Sequence, residues 1–209
     1  VLTHTLHYGC GAFEGVRASD APRGHELFRL REHTERLFNS APILRMKIPF
    51  TPEQVMQAQC EVVRANGLKS CYLRPLTWIG SEKLGVSPKG NRIHLAIAAW
   101  PWGAYLGEEG MKRGIRVKTS SYTRHHVNIT MTQAKTVSNY TNSILANMEA
   151  TDDGYDDDKA SRSDWVLVGT RGGVLDRPQI AAHATPIVPR RDWRLWTDDF
   201  NNILQVLKR

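Results

Sequence analysis

Residues 51–100 place the tightest constraint on the fold, because one fully signalled helix is followed there by two runs of strand length. Thr51 is a favoured N-cap, Pro52 stands at the first helical position, and Gln54 completes a capping box. Val55, Met56, Val62 and Val63 supply the buried stripe, and Asn66-Gly67 ends the helix in the left-handed manner. Residues 70–80 and 92–100 then read as strands joined through a Ser87-Pro88-Lys89-Gly90 turn, with 93–99 apolar enough for a central strand. Upstream, Leu30, Leu37, Phe38, Ala41 and Leu44 have helical spacing, and Pro42 marks an irregular end. Helix, helix, strand, strand in that order predicts a compact α/β domain with a mainly antiparallel sheet over residues 1–100.

Composition narrows the function classes. The chain has 209 residues, 41% hydrophobic and 23% charged, as in soluble globular proteins long enough to bury a core. No apolar run approaches a membrane span, and no secretion signal is visible. The formal charge of +7 comes from scattered residues, with no Lys/Arg run and no nucleic-acid-binding motif, which speaks against nucleic acid. A solvated surface and a site for small anions both remain open. Cys10, Cys60 and Cys71 are odd in number and lack CxxC spacing, which points to a reducing, cytoplasmic setting without a zinc site. His125-His126 has no third ligand in view and reads as loop histidines, so no metal is expected.

Three groups could carry chemistry. Lys135 lies between a strand-like segment and a helix expected over 139–150, with Ile144, Leu145 and Met148 at buried spacing. A lysine there is ordinarily solvated; Tyr140, a little over one helical turn on, could point back at the same pocket and strengthens a nucleophilic reading. Arg36 is either an exposed helix arginine or a phosphate ligand. Tyr72 and Arg74 share one strand face, which fits a carboxylate-binding cavity or a half-exposed sheet face.

Taken together, His7-Tyr8-Gly9, Phe13-Glu14-Gly15-Val16-Arg17, Glu35-Arg36-Leu37, Tyr72-Leu73-Arg74-Pro75, the segment from Pro101 through Trp102 to Tyr105 and Gly107, Arg124-His125-His126-Val127-Asn128, Ala134-Lys135 and the run from Asn142 to Asn147 occur in order. This resembles the branched-chain amino acid aminotransferases of the class IV, D-amino-acid-aminotransferase-like pyridoxal phosphate fold, over about residues 1–157. The resemblance implies an α+β, two-domain architecture and transamination of Leu, Ile and Val with 2-oxoglutarate through a pyridoxal 5'-phosphate Schiff base. Lys135 matches the lysine that carries the cofactor, Arg36 its phosphate ligand and Tyr140 the tyrosine near its phenolic oxygen. Phe13, Trp102 and Tyr105 match pocket residues for an apolar side chain, and Tyr72 and Arg74 those that handle carboxylates. Tyr8 and Val86 match residues lent to a neighbouring subunit, which implies a homodimer or a higher homo-oligomer. A D-amino acid aminotransferase, an aminodeoxychorismate lyase or a non-catalytic fragment are the alternatives; the 101–107 segment and the Tyr72/Arg74 pair favour the branched-chain reading.

The domain division expected from this is a small domain over 1–100, a connection over 101–110, the start of the large cofactor-binding domain over 111–157, and a tail over 158–209. The N-terminal domain is expected nearly complete and the C-terminal one truncated or misread. From Asp156 onward there is no Glu, so the family's carboxylate partner of the pyridine nitrogen has no counterpart, and three of the six tryptophans gather there. The tail is therefore expected to be a poorly ordered, misread continuation, which leaves the activity of the chain as written open. The first residue is Val1 rather than Met, which suggests an N-terminally truncated piece.

Overall fold

The computed structural model describes residues 1–21, 24–102, 114, 116–123, 129–155 and 157–161. Two compact units emerge. The first comprises Val1–Gly103 with Val127–Tyr140, the second Ala104–His126 with Thr141–Arg209.

In the first unit a short helix, α1 (His4–Tyr8), leads into β1 (Gly11–Phe13), β2 (Val16–Ala21) and β3 (Gly24–Leu27). The helices α2 (Leu30–Ile43) and α3 (Pro52–Ala65) follow, and then the strands β4 (Cys71–Ile79) and β5 (Ile93–Trp100). Gly9 ends α1 at φ 69°, a left-handed conformation that costs glycine little, with its N–H on the Thr5 carbonyl. All strand pairs of this sheet are antiparallel. β4 is its centre: β1 and β2 lie end to end along one side, β5 along the other, and β3 pairs with β2.

Strict alternation along β4 divides the sheet into two faces. Cys71, Leu73, Pro75, Thr77 and Ile79 are buried, while Tyr72, Arg74, Leu76 and Trp78 are half-buried on the other face. On the helix side, Val16, Ala18, Cys71 and Leu73 pack with Val63 of α3. A second cluster joins Ala12 and Ile79 to Leu37 and Ala41 of α2 and to Met46 and Ile48.

The run over 93–99 is not a central strand among the described residues. β5 pairs with β4 alone and buries neither face fully. Its apolar content reflects packing across β4 and α3 rather than enclosure by strands on both sides. A proline within a central strand is unusual, and here it breaks the ladder. The Glu14 N–H reaches the Pro75 carbonyl at 2.9 Å, but Pro75 has no N–H to return the bond. β1 ends and β2 begins on either side of that gap, leaving Glu14 and Gly15 between them.

The Thr51 capping box forms as expected. Thr51 Oγ accepts from the Gln54 N–H at 3.2 Å, and Gln54 Oε1 accepts from the Thr51 N–H at 2.8 Å. Thr51→Ala should cost about 1 kcal/mol, read as a fall of about 2–4 °C in the melting temperature. An unchanged melt would show that water replaces the cap without loss.

The second unit pairs β6 (Val117–Thr123) in parallel with β7 (Asp157–Ser161) and contains most of α4 (Tyr140–Asp152). Residues 158–161 are thus part of a strand rather than of a disordered tail; the remainder of the expected tail lies outside the described residues. In α4 the small residues Ala146 and Ala150 are buried, whereas Ile144, Leu145 and Met148 are exposed. The helical period is as expected and the buried face is not: the alanines allow close approach on one side, while the larger apolar groups stay open. Glu149 anchors this unit. It accepts from Ser120 Oγ at 2.5 Å and from Lys118 Nζ at 3.1 Å, and the Ser120 hydroxyl first, then Lys118, hold its carboxyl down at about 2. Among the described residues no helix is long and apolar enough to cross a membrane.

Candidate active site

Lys135 is presented from a backbone fixed on both sides. Its N–H donates to Ser40 Oγ of α2 at 3.1 Å, and its carbonyl accepts from the Phe13 N–H at 3.2 Å. A bridge between Ala12 and Thr136 continues this pairing along the outer edge of β1. A turn then reverses the chain, with the Tyr140 N–H on the Val137 carbonyl at 3.3 Å, so that Tyr140 faces back. Lys135 Nζ donates to the Tyr140 hydroxyl. Lys135 is 8% exposed, and its amine lies 4.8 Å from the centre of the Phe13 ring. Such surroundings combine desolvation with the Tyr140 contact, the setting in which a lysine serves as a nucleophile or base.

Phe13 connects the amine to the sheet face. Its ring stands 5.0 Å from that of Tyr140, and the Arg74 guanidinium covers it at 4.4 Å. The same guanidinium lies 5.2 Å from the Tyr72 ring and 5.7 Å from that of Trp100, and Nη2 donates to the Tyr72 hydroxyl at 3.3 Å. The Trp102 ring lies 4.5 Å from that of Tyr72, tilted by 60°, and stacks on Trp100 at 5.5 Å. Arg74 Nε is buried with no hydrogen-bond partner among the described residues. A buried cationic donor left unsatisfied is costly, and a carboxylate is the acceptor that matches it best.

Arg36 is reached through the residue next to Phe13. Glu14, 0% exposed, accepts from Arg36 Nε at 2.5 Å, from Arg36 Nη2 at 2.7 Å and from His33 Nδ1 at 3.0 Å. The Gly15 N–H adds a fourth bond at 3.3 Å. Burial pushes the Glu14 carboxyl up, but the hydrogen bonds of His33 and Arg36, helped by their charge, outweigh it and hold the group below its usual value. Because the folded state binds this proton less tightly than the unfolded one, the stabilisation is present above the ordinary carboxylate range of about 4.3 and is lost as pH falls through the depressed folded value. We expect acid unfolding below about pH 4 to flatten in Glu14→Gln, followed by circular dichroism against pH. An acid limb identical to wild type would assign that loss to other carboxylates.

Lys135, Tyr140, Phe13, Arg74, Tyr72 and Trp102 therefore meet in one cluster, and Arg36 adjoins it through Glu14. Tyr8 and Val86, 45% and 82% exposed, stand outside these ring contacts. Their two segments are nevertheless tied together, since His4 Nε2 of α1 bonds the Gly85 carbonyl at 3.0 Å. Tyr105 and His125-His126 lie outside the described residues. Among the described residues no group of His, Cys, Asp or Glu could hold a metal ion. Glu14 and Gly15, which the sequence shows only within the Phe13–Arg17 motif and without a role, join His33, Ser40 and Trp100, which it does not mark, in contact with these residues. The available signal is His33 and Arg36 three apart on one helix face, with an acidic residue interrupting an otherwise apolar run at Phe13-Glu14-Gly15-Val16.

The sequence model of the amino-transferase class IV family matches residues 11–176, past Asp157, where the resemblance read from motifs stops. The chain belongs to the class IV aminotransferases and has their α+β fold. It is 54% identical to a branched-chain-amino-acid aminotransferase of Pseudomonas aeruginosa, over 87% of this chain and 62% of that protein. It is 38% identical to the Escherichia coli K12 enzyme of the same name, over 91% of this chain and 64% of the other. Among solved structures, the E. coli branched-chain amino acid aminotransferase superposes with a TM-score of 0.74 at 42% identity, over 77% of this chain and 53% of that one. The T.th. branched-chain amino acid aminotransferase with pyridoxamine 5'-phosphate gives 0.73 at 50% identity, over 77% and 53%. The chain thus spans less than two thirds of these curated relatives and about half of the solved chains.

Proposed function

We propose that this chain is the lysine-bearing part of a pyridoxal 5'-phosphate-dependent aminotransferase that exchanges the amino group of Leu, Ile or Val with 2-oxoglutarate. The observation that carries the reading is the Lys135 amine on the Tyr140 phenol, with the Arg74 guanidinium over the same Phe13 ring and its Nε without a partner among the described residues. The names of the relatives support it, as do the pyridoxamine 5'-phosphate and the N-(5'-phosphopyridoxyl)-L-glutamate bound in the T.th. structures.

The donor set fits the cofactor. Lys135 would carry it covalently, Arg36 would hold its phosphate and Tyr140 would face its phenolic oxygen. The bound group supplies an electron sink for charge at the substrate Cα. Lys135 Nζ, freed by the incoming amino acid, would shuttle the proton between that Cα and the cofactor's C4′ carbon. The Tyr140 hydroxyl keeps the amine aimed. Phe13 and Trp102 give a branched apolar side chain a dry surface, while Tyr72 and Arg74 take the carboxylate. Arg74 also lets the same pocket admit the second carboxylate of glutamate, which apolar walls alone would exclude. Tyr8 and Val86, on exposed segments tied by the His4–Gly85 bond, would serve a neighbouring copy in a cytoplasmic homodimer or higher homo-oligomer. The large domain would begin near residue 111, and the family match to residue 176 carries it past Asp157.

The test supplies pyridoxal 5'-phosphate, reduces with borohydride and maps the modified peptide, then follows glutamate formation from L-leucine and 2-oxoglutarate. Labelling confined to Lys135, with turnover of L-leucine but not D-alanine, is expected. Labelling at other lysines in place of Lys135, or a preference for the D-amino acid, would overturn the reading.

A further inference from the structure

The buried acid between His33 and Arg36 takes no part in the proposed chemistry. We propose that Glu14 is a positioning residue, whose carboxylate fixes the plane of the Arg36 guanidinium so that it meets the cofactor's phosphate in one orientation. The proposal rests on the preceding assignment of Arg36 to that phosphate.

Three observations support it. The carboxylate is fully enclosed and receives four donors, two of them from a single edge of Arg36, the Nε–Nη2 edge, in a fork-to-fork pair. A two-point bond of that kind sets a plane, which a single contact cannot do. Arg36 keeps 19% of its side chain exposed, while the Glu14 carboxylate is enclosed, so the pair reaches solvent from the arginine side. Finally, Glu14 is itself held from both directions. Pro75 receives its N–H, and the ladder gap opposite that proline lets the residue turn towards α2, where His33, one turn before Arg36, takes the second oxygen. A long arginine that is ordered before the ligand arrives loses less freedom on binding than one that is not.

A purely structural role would change stability without distinguishing between ligands, so the test compares pyridoxal 5'-phosphate with pyridoxal, which lacks the phosphate. Dissociation constants are measured by fluorescence quenching on wild type, Glu14→Gln and His33→Ala. In Glu14→Gln the amide nitrogen faces donors, so the fork is lost while the shape remains. We expect its affinity for pyridoxal 5'-phosphate to fall about tenfold with that for pyridoxal unchanged, an effect the size of immobilising one long side chain. His33→Ala leaves the fork but loosens Glu14, and should show about a twofold loss of the same kind. A folded Glu14→Gln whose ratio of the two affinities equals that of wild type overturns the proposal. Should Glu14→Gln not fold, His33→Ala decides alone, and an unchanged ratio there overturns it. A wild-type chain that binds both ligands alike removes the phosphate role of Arg36 and this proposal with it, whereas a phosphate preference kept in Glu14→Gln removes only the positioning role.

Discussion

Lys135→Ala is expected to lower transamination by about 10²–10⁴-fold, the range associated with a single positioned acid–base group, and to abolish borohydride fixation of the cofactor. The loss should leave the fold intact. The lysine is held by its main chain, through Ser40 Oγ and the Phe13 N–H, and both bonds survive truncation at Cβ. What disappears is an amine that the fold has already removed from water and aimed, against the Tyr140 hydroxyl and beside the Phe13 ring. Lys135→Arg provides the control. It keeps the charge and much of the bulk but cannot deprotonate to act as a base, so its activity should stay as low as that of Lys135→Ala. The melting temperatures of both variants should lie close to wild type. Activity within threefold of wild type in Lys135→Ala would end the assignment of this lysine, whatever the family.

What is legible in the chain divides along the range of the interactions. The cap of α3, its glycine stop and the β4–β5 pair rest on neighbours in sequence, and each is visible as a spacing. Lys135 with Tyr140, and Tyr72 with Arg74, are likewise local pairs, brought together by one turn and by strand alternation. The sheet's other half is not visible. β1 is three residues long and β3 four, too short for a period to register, and the β4 partner of β1 lies far along the chain. The buried face of α4 differs from the expected one because a reading by apolar spacing follows the large side chains, whereas Ala146 and Ala150 are the ones that pack. Glu14 is hidden for the opposite reason. A carboxylate reads as exposed until the arginine and the histidine that satisfy it are seen, and these lie on a different element.

Gly15→Ala should disrupt the carboxylate side of the site more than any other single added methyl group. A Cβ at this position would sit 1.8 Å from the Tyr72 hydroxyl oxygen and 2.5 Å from the ring carbon that bears it. The backbone has little freedom to retreat, being pinned by the bond from Glu14 to Pro75 on one side and by the β2–β4 ladder, from Val16 opposite Leu73, on the other. The Tyr72 ring must therefore move, and its position is shared. It contacts Trp100 at 5.2 Å and Trp102 at 4.5 Å, and its hydroxyl receives Arg74 Nη2. Overpacking of this kind costs about 1–3 kcal/mol, which in a chain of this length lowers the melting temperature by several degrees. The functional effect should exceed the structural one, because Arg74 loses its hydroxyl partner and one of its three rings together. Under the proposed activity, KM for 2-oxoglutarate should rise by about tenfold or more, as for a charged hydrogen bond that is lost. The pair Gly15→Ala/Tyr72→Phe isolates the cause. Removing the oxygen that lies nearest the new methyl group should return part of the lost stability, so that the two changes are less costly together than their sum. If Gly15→Ala melts with wild type and the double variant shows no such recovery, the close approach of Tyr72 to this glycine is not what requires a glycine there.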